Sequence, residues 1–212
     1  MSNIAHRGIV FNYSNITENS IESIQNAVNL KFKIVEIDIR FTQKNFILHH
    51  DPFFIHNENI ISVENYKFND KLTLQKVFQT FNNKISFFLD IKSNHININN
   101  LINLSRQFNI NNICFTSFNE NHLIQICDYE QKYNIKLIKG FITSNIHEDN
   151  FAYIINKYKI DFLIISYSQI TSNLVQFIHN KHVKIVAWII NNKQIKQYYK
   201  NLGVDFIMTD KH

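Results

Sequence analysis

The chain has 212 residues, 45% of them hydrophobic, with a formal charge of +5 and a pI near 9.1, enough for one sizeable core in a single domain over residues 1–212. No apolar run approaches the ~18 residues of a membrane span, and Met1-Ser2-Asn3-Ile4-Ala5-His6 lacks the basic and apolar regions of a signal peptide, so a cytoplasmic protein without a membrane span is expected. The lysines are scattered (Lys31, Lys33, Lys44, Lys67, Lys71, Lys76), which argues against a nucleic-acid face, and Cys114 and Cys127 have no metal-ligand spacing and read as small core residues.

With only 3 Gly and 1 Pro, Asn-rich turns must punctuate the chain. Asn3 to His6 reads as a first strand. Ser20 is placed to cap a helix with Ile21, Ile24, Val28 and Phe32 on one face. A strand from Val35 to Phe41 turns at Gln43-Lys44-Asn45 into Phe46 to His50, a hairpin, and a polar segment from Asn57 to Asp70 leads to a helix from Leu72 to Phe81. Regular alternation follows. Strands are predicted at Ile85–Lys92, Asn112–Phe118, Lys136–Ile142, Asp161–Ser166, Val183–Ile190 and Asp205–Asp210, with helices at Ile98–Phe108, Asn121–Tyr133, His147–Tyr158, Leu174–His182 and Gln194–Asn201 between them.

Strands separated by helices imply right-handed βαβ units and a parallel sheet. Setting the hairpin aside, roughly eight such strands predict an α/β fold, a single TIM (β/α)8 barrel with a short hairpin excursion after strand 2. A doubly wound open sheet is the alternative, but no Gly-rich nucleotide loop follows the first strand.

In a barrel the chemistry gathers at the C-terminal strand ends. Glu36 and Asp38 are two apart on a mostly apolar strand, so both leave one face. On their own they fit a hard-metal site or a solvated edge equally well, since two acids are costly to bury without a cation. Asp90 and Lys92 share a face in the next barrel strand, so three carboxylates converge on one mouth with Arg7 and Lys92 beside them. Strand ends elsewhere carry His6, His50, Thr116-Ser117, Trp188 and Asn191.

The stretches His6-Arg7-Gly8, Glu18-Asn19-Ser20, Glu36-Ile37-Asp38 with Thr42, His50-Asp51-Pro52 and Asp90-Ile91-Lys92 resemble those of the glycerophosphodiester phosphodiesterase family, a branch of the phospholipase-C-like phosphodiesterases on the TIM-barrel fold. Ser117-Phe118, Trp188-Ile189-Ile190-Asn191 and Gly203-Val204-Asp205-Phe206-Ile207-Met208-Thr209-Asp210 carry the resemblance almost to the C-terminus. It implies a phosphoric diester hydrolase that cleaves small-molecule glycerophosphodiesters to sn-glycerol 3-phosphate and an alcohol. It further implies one divalent cation, Mg2+ or Ca2+ with Mn2+ possible, on Glu36, Asp38 and Asp90, since hard oxygen ligands suit such ions. By the same resemblance His6 and His50 are general acid and base, Arg7 and Lys92 bind phosphate, Trp188 walls the glycerol or headgroup, and Glu18, Asn19 and Ser117 support the site.

Bland readings stand beside these. His49 competes with His50, Glu18 and Asn19 are plausible helix caps, and Trp188 is plausible barrel filling. His56, His95, His122, His147, His179, His182 and His212 lack ligand spacing and read as surface residues. The family's third acid is most often Glu, so Asp90 retracts the carboxylate by about one C–C bond. Asp there also suits the related sphingomyelinase D toxins, which are secreted and disulfide-bearing, unlike this chain. The hairpin between Thr42 and His50, and the segment after Asp51, are short, leaving little to cover a substrate. A lysophospholipase-D-like or sphingomyelinase-D-like activity on a lipid, and an inactive barrel kept as a binding module, are the alternatives; oligomeric state is not legible.

Overall fold

The computed structural model describes residues 2–11, 15–56, 58–66, 71–110, 112–144 and 148–212. Met1, Asn57, Lys67, Asp70 and His147, named above, lie outside them. The elements run β1 (Ser2–His6), α1 (Ile21–Asn29), β2 (Ile34–Phe41), β3 (Phe46–Leu48), β4 (Phe53–His56), β5 (Asn59–Ser62), α2 (Leu74–Phe81), β6 (Ser86–Ile91), α3 (Ile98–Gln107), β7 (Ile113–Ser117), α4 (Glu120–Tyr133), β8 (Ile138–Thr143), α5 (Glu148–Tyr158), β9 (Phe162–Ser166), α6 (Ser172–Asn180), β10 (Lys184–Trp188), α7 (Lys193–Leu202) and β11 (Phe206–Thr209).

Eight strands pair in parallel in the order β1-β11-β10-β9-β8-β7-β6-β2, and β1 closes on β2 with Ile4 beside Ile34 and His6 beside Glu36. This is a TIM barrel. The strand β3 lies outside the ring, antiparallel to β2 through Ile39–Leu48 and Phe41–Phe46.

Strand alternation sorts the side chains into two cores. Ala5, Val35, Ile37, Phe87, Leu89, Phe115, Leu163, Ile185 and Ile207 point outward against the helices. Ile4, Phe88, Cys114, Ile142, Ile164, Val186 and Met208, one from each of seven strands, fill the barrel interior, with Ile34 of β2 packed against them. Two residues further along the same strands stand His6, Glu36, Asp90, Trp188 and Asp210, so the apolar layer is the floor on which the mouth is built.

The helices begin where short polar side chains cap them. Ser20 accepts from the Ser23 N–H at 3.0 Å while Ser23 Oγ accepts from the Ser20 N–H at 3.1 Å. Thr73, Asn97, Asn119, Thr171 and Asn192 serve the same way.

Two expectations are corrected. The segment Asn57 to Asp70 is not plainly polar: its described part holds β5, which pairs antiparallel with the preceding β4, Ile55 opposite Ile60, and Phe54, Val63 and Tyr66 pack on Ile47. The apolar residues of the two strands fall in short runs, Phe53-Phe54-Ile55 and Ile60-Ile61, with no period of two to mark strands. His122 is no surface residue. It is buried, with Nδ1 2.7 Å from Ser117 Oγ.

Candidate active site

The loop after β1 explains His6-Arg7-Gly8. Arg7 and Gly8 both have positive φ, 51° and 81°, and a Cβ on Gly8 would lie 2.3 Å from Ser23 Oγ. Ser23 Oγ donates to the Arg7 carbonyl and the Asn19 N–H reaches the same oxygen at 2.9 Å. The turn therefore fixes Arg7 and Asn19 over the mouth.

Asn19 is more than a neighbour of the cap. Its Nδ2 donates to Asp38 Oδ2 at 2.8 Å and its Oδ1 accepts from the Asp38 N–H at 3.1 Å, a two-point clamp on a buried acid. Glu18 Oε1 accepts from Arg7 Nη1 at 2.8 Å. Arg7 Nε lies 2.9 Å from Asp38 Oδ2, an ion pair without hydrogen-bond alignment.

Glu36, Asp38 and Asp90 are all buried, and their ligand oxygens lie within 4.8 Å of one another. Lys92 Nζ sits 2.6 Å from Asp90 Oδ2 and 3.3 Å from Asp38 Oδ1. Three acids thus face two close cations. Burial, reinforced by Asp38 and Asp90, pushes the Glu36 carboxyl well above its usual range. Burial also raises Asp90, to about 6, against the pull of Lys92. Asp90 Oδ1 is buried without a partner. An all-oxygen donor set that is one positive charge short, with an orphaned lone pair, fits a hard divalent cation.

His6 and His50 stand on the mouth, and each is oriented by an acid. His6 Nδ1 is 2.7 Å from Asp210 Oδ1, while Asp210 Oδ2 accepts from Asn191 Nδ2 at 2.7 Å. Burial works to raise the Asp210 carboxyl, but the hydrogen bonds from His6 and Asn191 outweigh it and hold it below its usual range. His50 Nδ1 is 2.9 Å from Asp51 Oδ1, a bond that holds Asp51 low as well. An ionised carboxylate only accepts, so both rings carry the proton on Nδ1 and leave Nε2 for the cavity. His6 Nε2 is 4.0 Å from Glu36 Oε2.

The hairpin separates the adjacent histidines. His49 stacks on Phe54 with centroids 4.1 Å apart and binds the Phe53 carbonyl, whereas His50 lines the cavity. Arg40 ties that loop down, its Nε donating to the His50 carbonyl at 2.8 Å.

The cavity is about 200 Å³. Its polar lining is His6, Arg7, Glu36, Asp38, His50, Asp90 and Lys92, and its apolar lining is Phe118, Trp188 and Ile189 with Ile142, Ile164 and Met208 of the floor. Trp188 Nε1 is buried with no hydrogen-bond partner among the described residues. Of the expected residues, Glu18 and Asn19 reach the lining through Arg7 and Asp38, and Ser117 stands back from it. It points outward, donates to the Ile91 carbonyl at 3.2 Å and meets His122, which lies against Ser93 and Asn94, so it braces the end of β6.

The model of the glycerophosphoryl diester phosphodiesterase family matches residues 6–212. The chain belongs to this family. As a glycerophosphoryl diester phosphodiesterase family member it belongs among phosphodiester-cleaving enzymes, and its barrel is shared widely. An Oleispira antarctica phosphodiesterase, solved in complex with the product sn-glycerol-3-phosphate, is similar with a TM-score of 0.86 at 18% identity, over 99% of this chain and 93% of that one. The Thermotoga maritima glycerophosphodiester phosphodiesterase gives 0.80 at 18% identity, over 99% and 95%. The Agrobacterium tumefaciens enzyme gives 0.80 at 13%, over 100% and 97%. At these identities the likeness speaks for the fold. No curated protein matches the sequence.

The sequence reading missed Asp210 as the partner of His6, Asn191 as the partner of Asp210, Arg40 as the anchor of His50, and His122. Asp210 and Asn191 both stood in stretches that resemble the family, but nothing local pairs residues 204 positions apart.

Proposed function

We propose that this chain is a metal-dependent glycerophosphodiesterase, releasing sn-glycerol 3-phosphate and an alcohol. The observation that carries the reading is the pairing, around one cavity, of a buried three-acid cluster with two carboxylate-oriented histidines. Within a phosphodiesterase family such a set suits in-line displacement at phosphorus.

Glu36, Asp38 and Asp90 would hold the cation. When bound there, Mg2+, Ca2+ or Mn2+ supplies a hard positive centre for the charge that grows on the diester oxygens. Arg7 and Lys92 add a guanidinium and an ammonium for the phosphate. Asp210 and Asp51 keep His6 and His50 in the tautomer whose Nε2 faces substrate. One ring takes the proton of the attacking hydroxyl and the other returns a proton to the leaving alkoxide. The attacking group is water, or the substrate's neighbouring hydroxyl if a cyclic phosphate is first formed.

Trp188 belongs to the apolar lining, and its unpartnered indole N–H is a donor for a substrate oxygen. The apolar wall around it favours, as a second reading, a diester that carries a lipid chain.

Turnover of glycerophosphocholine and glycerophosphoethanolamine, assayed as released glycerol 3-phosphate, tests the proposal. His6→Ala and His50→Ala should each lower kcat by about 10²- to 10⁴-fold. Wild-type rates in both variants would overturn it.

A further inference from the structure

We propose that a groove on the flank of the barrel binds a small organic anion that carries an apolar body. The groove holds about 460 Å³, against about 200 Å³ for the cavity at the mouth, and no residue lines both. Its walls come from segments far apart in sequence: Ile9 and Phe11 after β1, Leu30 at the end of α1, Lys193 and Lys196 in the first turn of α7, and Lys211 after β11. A concave space of that size suits a small molecule.

The lining divides by chemistry. Ile9 is buried, Leu30 half-buried and Phe11 42% exposed, so together they offer an apolar surface that the protein only partly covers. Three ammonium groups accompany it, and no acidic side chain lines the groove. Lys211 Nζ is 3.9 Å from the centroid of the Phe11 ring, Lys196 Nζ donates to the Lys211 carbonyl at 3.0 Å, and Lys193 is exposed on the same helical turn. Burial, with the charges of Lys193 and Lys211 adding to it, holds Lys196 below the ordinary lysine range although Asp210 pulls the other way. Asp210 is already committed to His6 and Asn191. Asn191 also borders the groove, but its amide is in use: Nδ2 donates to Asp210, while Oδ1 accepts from Thr209 Oγ1 and the Asp210 N–H. The lysines are left as the anchors for a ligand.

These two halves define the ligand class. A bare inorganic anion would leave Ile9, Phe11 and Leu30 facing water, and a neutral apolar molecule would leave the clustered ammonium groups without a counter-charge. An anionic head on a short apolar chain satisfies both. The inference stands apart from the proposed function, because it uses no residue of the mouth.

Isothermal titration in EDTA tests it, with decanoate as the probe, acetate as a head without a chain, and decyl maltoside as a chain without a charge. The wild type should bind decanoate about tenfold or more tightly than either control, and added salt should weaken that binding. Lys196→Gln/Lys211→Gln should bind it about tenfold more weakly. Lys193→Glu, at an exposed position, should also weaken it and keeps the test decisive if the double variant does not fold. Phe11→Trp, made in Trp188→Phe, should shift its fluorescence to the blue as decanoate binds. No decanoate binding, equal binding of either control, affinity unchanged in the folded lysine variants, or a Phe11→Trp signal unmoved at saturation would each overturn the proposal. Binding is read without metal or turnover, so its failure leaves the diesterase reading standing, and a chain that binds decanoate yet cleaves no diester refutes the activity alone.

Discussion

Asp210 decides which nitrogen of His6 carries the proton. Its 2.7 Å contact with Nδ1, backed by Asn191, turns Nε2 toward the cavity. Asp210→Asn should therefore lower kcat by on the order of 10²-fold or more with little change in Tm, and steady-state kinetics on glycerophosphocholine would check it. His49→Ala should keep most activity, because that ring is engaged with Phe54 and the Phe53 carbonyl. Equal losses in His49→Ala and His50→Ala would contradict the assignment. His122 gives a pH effect of defined sign. Burial lowers its pKa below the ordinary 6.5, so the unfolded chain binds the proton more readily. Its contribution to stability is present above pH 6.5 and is lost as pH falls through the lower folded-state value. Tm should drop between about pH 7 and about pH 5, and His122→Asn should flatten that slope. The acids and histidines that share a strand face or a short motif were readable in sequence, because their spacing is local. His122 was not, since a histidine on a helix shows its burial only once the strand end beneath it is in place.

At the scale of elements, the loop after β1 and the hairpin β2–β3 are the two devices that deliver histidines to one mouth. The first was legible as the motif His6-Arg7-Gly8, and the structure adds its reason: the positive φ of Gly8 and its contact with Ser23 leave no room for a side chain. The second was legible as a hairpin, but its anchor was not: Arg40 lies on β2 and reaches the backbone of His50 only because β3 folds back across it. The sheet β4–β5 escaped notice because its strands are four residues each and their apolar residues are adjacent instead of alternating. Among the outer elements, α4 is tied to β8 by a buried ion pair in which Lys139 Nζ lies 2.8 and 2.7 Å from the two Glu130 oxygens. Removing one partner strands the other charge, so Glu130→Ala should cost about 3–5 kcal/mol. Denaturant unfolding would measure it, and a loss below about 1 kcal/mol would show the pair to be solvated.

For the molecule as a whole, strand-helix alternation was enough to predict a closed barrel because parallel strands need crossovers and a right-handed series of eight curls shut. The closure of β1 on β2 then brings His6 beside Glu36, a contact no local pattern contains. The same closure concentrates buried negative charge that Arg7 and Lys92 only partly offset. Divalent cations should consequently stabilise the fold. At 100 times Kd the gain is about 2.7 kcal/mol, or roughly 5–10 °C in Tm for a chain of this size, and EDTA should reverse it; Asp38→Asn should lose most of the shift. The most direct test of the account is phosphorus NMR of glycerophosphocholine incubated with the protein in Mg2+, Ca2+ or Mn2+, with and without EDTA. The diester signal should give way to that of glycerol 3-phosphate with at least one cation and persist under EDTA. A diester untouched with all three ions, or consumed equally in EDTA, would contradict a metal-dependent diesterase built on Glu36, Asp38 and Asp90.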